Sequence, residues 1–215
     1  MKKLFLILFV VLAAACNPTK TGRQYLREAA SRPEVRQVLL VQHVDSCFAD
    51  AFFYVREGRA WKQAGSGSAI IGRNGTGKER EGDKKTPLGE LGVTTAFGIL
   101  PNPGTSLPYI DLVPGIFACD CPGEFYNTII DTAAVHHNCK GENMAAISPS
   151  YNYGMATDYN SENIYPLGSN IFIHCKGKSG KGYTAGCVSL DEDFMKEILK
   201  LSDDGFRMFV YEKGR

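Results

Sequence analysis

Asn170-Ile171-Phe172-Ile173-His174-Cys175, followed by Thr184-Ala185-Gly186-Cys187, is the stretch on which the reading of this 215-residue chain turns. If residues 170–175 form a strand, successive side chains alternate faces. Phe172 and His174 then share one face, and Ile171, Ile173 and Cys175 share the other. A histidine among apolar strand residues is usually a satisfied core residue, and cysteine is among the most buried residue types. The setting of Cys187 points elsewhere. It follows Gly186 and precedes Ser189, which with Glu192 reads as a capping box for a helix whose apolar stripe is Phe194, Met195, Ile198, Leu199 and Leu201. The sulfur is therefore expected near the positive end of a helix, where a thiolate is favoured. With His174 nearby, Cys187 reads as a nucleophile and His174 as its general base. Gly186 lets a substrate approach the backbone and leaves N–H groups for a developing oxyanion. Thr184 reads either as a loop hydrogen-bonder that orients the nucleophile or as an ordinary turn threonine.

Outward from this stretch the pattern is that of β-structure. Val38–Val44 is a short apolar strand, and 51–55 and 60–64 flank Glu57-Gly58, a hairpin signal. Residues 68–71, 91–97, 151–159 and 206–211 read as further strands, and a helix is expected near 126–135. Many short strands with few helices predict a mainly β domain over residues 36–215. Asp83 and Thr86 read as shaping the turn before Pro87, and Tyr153 and Tyr165 as core or rim residues.

The N-terminus reads as a secretory signal over residues 1–15: Lys2-Lys3, an apolar run from Leu4 to Leu12, then Ala13-Ala14-Ala15. Cys16 follows directly and resembles a lipobox cysteine, which implies lipidation and anchoring through buried methylenes. Residues 16–35 read as a tether with a helical turn or two around Tyr25–Ala30. Lysine plus arginine number 24 against 23 acidic residues, so no basic field favours nucleic acid. Seven cysteines are present, and outside the cytosol the six beyond Cys16 are able to pair.

Several ordered motifs resemble the L,D-transpeptidase catalytic domain, also called YkuD-like. These are 71–75, Glu81-Gly82-Asp83-Lys84-Lys85-Thr86-Pro87-Leu88-Gly89, Ala96-Phe97-Gly98, Tyr126-Asn127, Tyr159-Asn160 and 168–174, ending in Thr184-Ala185-Gly186-Cys187, a Thr-x-Gly-Cys branch. The resemblance spans residues 36–211 and implies a β-sandwich of mixed sheets with a few short helices. It also implies an exported enzyme acting on peptidoglycan stem peptides through a Cys187 thioester, with no cofactor. A lipidated Cys16 would place it on the periplasmic face of a membrane, the outer rather than the inner. Two positions depart from the family: Ala185 stands where many members carry a histidine, and Ser189 where many carry arginine or asparagine. Arg73 is the candidate to restore the missing positive charge, beside the reading of a solvated loop arginine.

Alternatives of other kinds are an L,D-carboxypeptidase, a non-catalytic wall-binding lipoprotein, and a thiol-redox protein, the last lacking any Cys-x-x-Cys. Cys119, Cys121, His136, His137 and Cys139 are zinc-type ligands, but their spacing fits none of the common two-plus-two patterns. A disulfide from Cys139 to Cys119 or Cys121 is the preferred reading there.

Overall fold

The hairpin signal at Glu57-Gly58 opens a long meander. In the computed structural model, which describes residues 20–136, 141–178 and 182–213, β1 (Gln37–Asp45), β2 (Phe48–Glu57) and β3 (Ala60–Ile70) pair antiparallel in sequence order. Residues 1–15, read as a secretory signal, and Cys16, His137 and Cys139 lie outside the described residues. β4 (Gly89–Gly98) and β5 (Tyr109–Asp111) follow, then β6 (Ile116–Cys119), β7 (Thr128–Asp131), β8 (Glu142–Asn143), β9 (Gly154–Thr157), β10 (Phe172–Cys175), β11 (Val188–Leu190) and β12 (Phe206–Glu212). Helix α1 (Gly22–Ala30) precedes the strands, and α2 (Glu192–Leu201) connects β11 to β12.

Nine strands form one mixed sheet in the order β12-β1-β2-β3-β11-β10-β9-β4-β5. The sheet folds over and meets itself. Gly89–Gly92 of β4 pairs with β12, while the rest of β4 pairs with β9. The predicted sandwich thus has its two halves joined along a hydrogen-bonded seam, which removes the open edge at that side. Between the halves lies the main core, with Leu39, Phe53, Ile173, Leu190, Ile198 and Met208 all essentially inaccessible to solvent. Each such side chain contributes about 1.5–3 kcal/mol through burial.

A second, smaller sheet, β7-β6-β8, covers the outer face of β9 and β10. Phe97, Tyr151 and Phe172 pack edge to face there, with ring centroids 5.1–6.0 Å apart. Cys187 is packed at the margin of this cluster. The helix expected near 126–135 is instead β7. Asn127 adopts a left-handed backbone (φ 61°) that interrupts any helix, and Thr128-Ile129-Ile130 is β-branched.

The tether expected over residues 16–35 is, from Thr21 onward, part of the folded body. Thr21 and Gln24 form a capping box, and Tyr25, Leu26 and Ala29 pack α1 on the outer face of β1 and β12 against Val38, Phe209 and Tyr211. Trp61 Nε1 donates to the Leu26 carbonyl at 2.9 Å and fixes the helix to β3. At the other end of the chain, α2 starts at Glu192 after Asp191, and the expected Ser189–Glu192 capping box does not form. Ser189 is instead the central residue of β11, a short strand held between β3 and β10.

Candidate active site

β10 and β11 run parallel, with Ile173 opposite Val188 and His174 opposite Ser189. Alternation then settles which side chains meet. Ile173, Cys175, Val188 and Leu190 point into the main core, while Phe172 and His174 point outward toward the small sheet. Cys187 lies on that outward side, because its sulfur receives the Phe172 N–H at 3.3 Å. His174 and Cys187 both line one cleft of about 280 Å³. Cys175, despite being the neighbour of His174 in sequence, sits in the core with its thiol on the Tyr153 carbonyl, 3.4 Å away.

His174 is held in one useful tautomer. Its Nδ1 lies 2.7 Å from the Cys175 carbonyl oxygen, which only accepts, so Nδ1 carries the proton and Nε2 presents a lone pair. Tyr151 meets the imidazole edge to face at 5.4 Å and is anchored by its own hydroxyl on Glu142, at 2.6 Å. Burial pushes the His174 pKa down, and the Cys175 carbonyl offsets this only in part. The ring is therefore a neutral base at neutral pH.

The thiol is also neutral at rest. Burial pushes Cys187 up to about 12, although the Phe172 N–H, the Lys78 charge and the cysteine's own N–H all favour the thiolate. Its S–H donates to the Asn170 carbonyl at 3.3 Å rather than to His174. The expected helix terminus does not reach it. β11 separates Cys187 from α2 by three strand residues, roughly 10 Å, beyond the span over which a helix end acts.

The loop that carries the nucleophile is fixed from both sides. Thr184 Oγ1 donates to the Cys187 carbonyl at 2.7 Å and accepts the Gly186 N–H at 3.1 Å, so this threonine does orient the loop. Thr86, fully buried, donates to the Gly186 carbonyl at 2.8 Å and accepts the Gly72 N–H at 2.9 Å. A residue read from sequence as a turn former is thus also a strut beneath the nucleophile. Gly186 has φ +149°, and a Cβ there would lie 2.8 Å from the Lys85 carbonyl oxygen. Only glycine lets the two segments approach this closely. The Gly186 N–H is engaged by Thr184 Oγ1, whereas the Phe172 N–H is directed at the sulfur.

Arg73 is exposed and does not line the cleft; its guanidinium lies over the Tyr183 ring at 5.1 Å, and Tyr183 is the residue that forms the wall. The basic groups of the cleft are Lys78 and Lys176. Sequence reasoning passed over Lys78, Asn170 and Tyr151. The signal available for Asn170 was its place one residue beyond Ser169 at the head of β10, where a left-handed turn (φ 52°) aims its carbonyl at the thiol. Asn127 Oδ1 holds that turn through the Asn170 N–H at 2.8 Å. Tyr153 is core, whereas Tyr165 is half exposed and packs on Tyr126. Among the described residues no three His, Cys, Asp or Glu side chains converge as metal ligands.

Comparison with known proteins gives the family. No curated protein sequence matches the chain. Among solved structures, Bd1075 from Bdellovibrio bacteriovorus aligns over 84% of this chain and 49% of its own, with TM-score 0.46 and 15% identity. The helical cell shape determining protein Pgp2 from Campylobacter jejuni aligns over 91% and 56%, with TM-score 0.46 and 16% identity. An L,D-transpeptidase from Enterococcus faecium aligns over 81% and 49%, with TM-score 0.41 and 13% identity. The chain spans about half the length of the solved structures it matches. The family model for the YkuD L,D-transpeptidase catalytic domain matches residues 49–210, most of the chain, and the protein belongs to that family.

Proposed function

We propose that this protein is a peptidoglycan L,D-transpeptidase that works through a Cys187 thioester. The observation that carries this reading is that a partly buried thiol, at the head of one of two adjacent parallel strands, and an imidazole on the other whose free nitrogen is Nε2 line one cleft. In the reaction the Cys187 proton passes to His174 Nε2 as the sulfur bonds to the carbonyl carbon of the L-centre that precedes the terminal D-amino acid. The Cys187 N–H is the backbone donor assigned to the oxyanion. The C–N bond then breaks, the proton on Nε2 goes to the departing amine, and the D-amino acid leaves. An amine of a second stem attacks the thioester, its proton returns through His174, and a crosslink forms. Water in place of that amine gives an L,D-carboxypeptidase.

The N-terminal reading completes the proposal. A signal over residues 1–15 and a lipidated Cys16 would tether the catalytic body to the periplasmic face of the outer membrane, facing the wall. Incubating the purified protein with tetrapeptide-stem muropeptides, followed by mass spectrometry, tests the chemistry. Dimers identify the transpeptidase, loss of one D-amino acid without dimers identifies the carboxypeptidase, and the absence of both overturns the proposal.

A further inference from the structure

Lys78 is a cation held out of water at the cleft wall, and nothing in the acyl-transfer scheme uses it. Its side chain is 2% exposed. Nζ donates to Asp83 Oδ1 at 3.0 Å and to the Arg80 carbonyl at 3.2 Å, which commits two of its three protons. Two glycines make room for it. A Cβ on Gly168 (φ +113°) would lie 2.4 Å from Lys78 Cε, and a Cβ on Gly186 would lie 3.7 Å from Nζ. The ammonium therefore sits against the residue that precedes the nucleophile.

Its partner is shared. Asp83 also receives the N–H groups of Glu79, Arg80 and Lys85, at 2.8, 3.1 and 3.0 Å. Burial opposes its ionisation, but those three donors and Lys78 outweigh it and hold the carboxyl down to about 2. Asp83 thus takes one N–H of Lys78 and the Arg80 carbonyl a second, which leaves the third for a ligand. The rest of the cleft is acidic: Glu81, Asp120 and Glu142 line it. The other lysine, Lys176, is tied to Ser68 and Asp191 nearer solvent. An anion entering this cleft has one dry cation to meet.

We propose that Lys78 recognises the free C-terminal carboxylate of the stem peptide, the feature that marks a terminal D-residue for removal. This rests on the acyl-transfer reading above. The spacing agrees with it. Gly186 and Cys187 are successive residues, about 3.8 Å apart at Cα, and a single extended substrate residue spans about 3.3–3.6 Å. A substrate that runs from Cys187 toward Gly186 would bring a carboxylate one residue beyond the scissile carbonyl toward Nζ, which lies 3.7 Å from where a Gly186 Cβ would be. A charge-assisted hydrogen bond in a dry site then selects the terminal position.

The test is binding of two probes to the full chain carrying Cys187→Ala: a tetrapeptide stem ending in a free D-alanine carboxylate, and the same peptide ending in a carboxamide. The expected result is a preference for the acid of about 10-fold or more, lost when Lys78→Met is added, with carboxamide affinity unchanged within about threefold. Equal weakening of both probes, or a preference that survives Lys78→Met, overturns the assignment; circular dichroism and urea midpoints establish that both variants are folded. Acid preference in a protein whose parent releases no D-alanine would leave the Lys78 assignment standing and sink the acyl-transfer reading.

Discussion

The two faces of the β10–β11 pair present two thiols under nearly the same constraint and give them different fates. Cys175 is buried and Cys187 partly so, and desolvation pushes both thiols up to about 12. Neither is an activated thiolate at rest. Cys175 faces the apolar core, with its thiol on the Tyr153 carbonyl. Cys187 faces a cleft it shares with a neutral imidazole. Under the proposed mechanism, what separates the two thiols is the face each takes and the imidazole that stands beside one of them, not a lowered resting pKa.

The largest effect expected from this contrast is on Cys187→Ala, which abolishes turnover of tetrapeptide stems, while Cys175→Ala keeps turnover and costs about 1–2 kcal/mol in a urea melt. Reversal of the two would break the contrast. His174→Ala follows, lowering kcat by about 10²–10⁴-fold with the fold intact. Its pH signature is directional. Because burial lowers the His174 pKa below the ordinary value of about 6.5, the acid limb of kcat/KM lies below that value. The same depression stabilises the fold above about pH 6.5, and that contribution is lost as pH falls through the folded pKa. A kcat/KM limb above 6.5 contradicts the neutral-base assignment.

Thr86→Val is smaller. It removes the strut under Gly186 and leaves the Gly72 N–H and Gly186 carbonyl unpaired, at a cost of about 1–3 kcal/mol, and kcat falls about 10-fold while KM stays within threefold. The smallest effect is expected of Arg73→Ala, at most about threefold in kcat/KM, because the guanidinium acts only through its stacking on Tyr183. A loss as large as that of Thr86→Val would restore Arg73 to the substrate side of the cleft.

Alternation along Phe172-Ile173-His174-Cys175 was legible before any coordinates, and it put His174 and Cys175 on the opposite faces that the structure gives them. So was the hairpin at Glu57-Gly58, because glycine and β-branched patterns act locally. The environment of the nucleophile was not. Cys187 packs at the margin of the cluster that the small sheet β7-β6-β8 helps to form, and that sheet's residues are remote in sequence and its middle strand pairs across loops that carry no periodicity. The helix start failed for a related reason: Ser189 fits a cap by local chemistry, yet pairing with β10 and Ile70 of β3 drew it into a strand. Lys78 was invisible because a lysine beside glycines reads as a solvated turn until Gly168 and Gly186 are seen to close over it.

The most direct measurement is to mix the full chain with a tetrapeptide stem, quench in acid within the first turnovers, and map the adduct by intact and peptide mass. The account predicts a thioester on Cys187 carrying the stem without its terminal D-residue, absent in Cys187→Ala and strongly reduced in His174→Ala. Turnover with the adduct on another cysteine, or turnover that persists in Cys187→Ala, would contradict it.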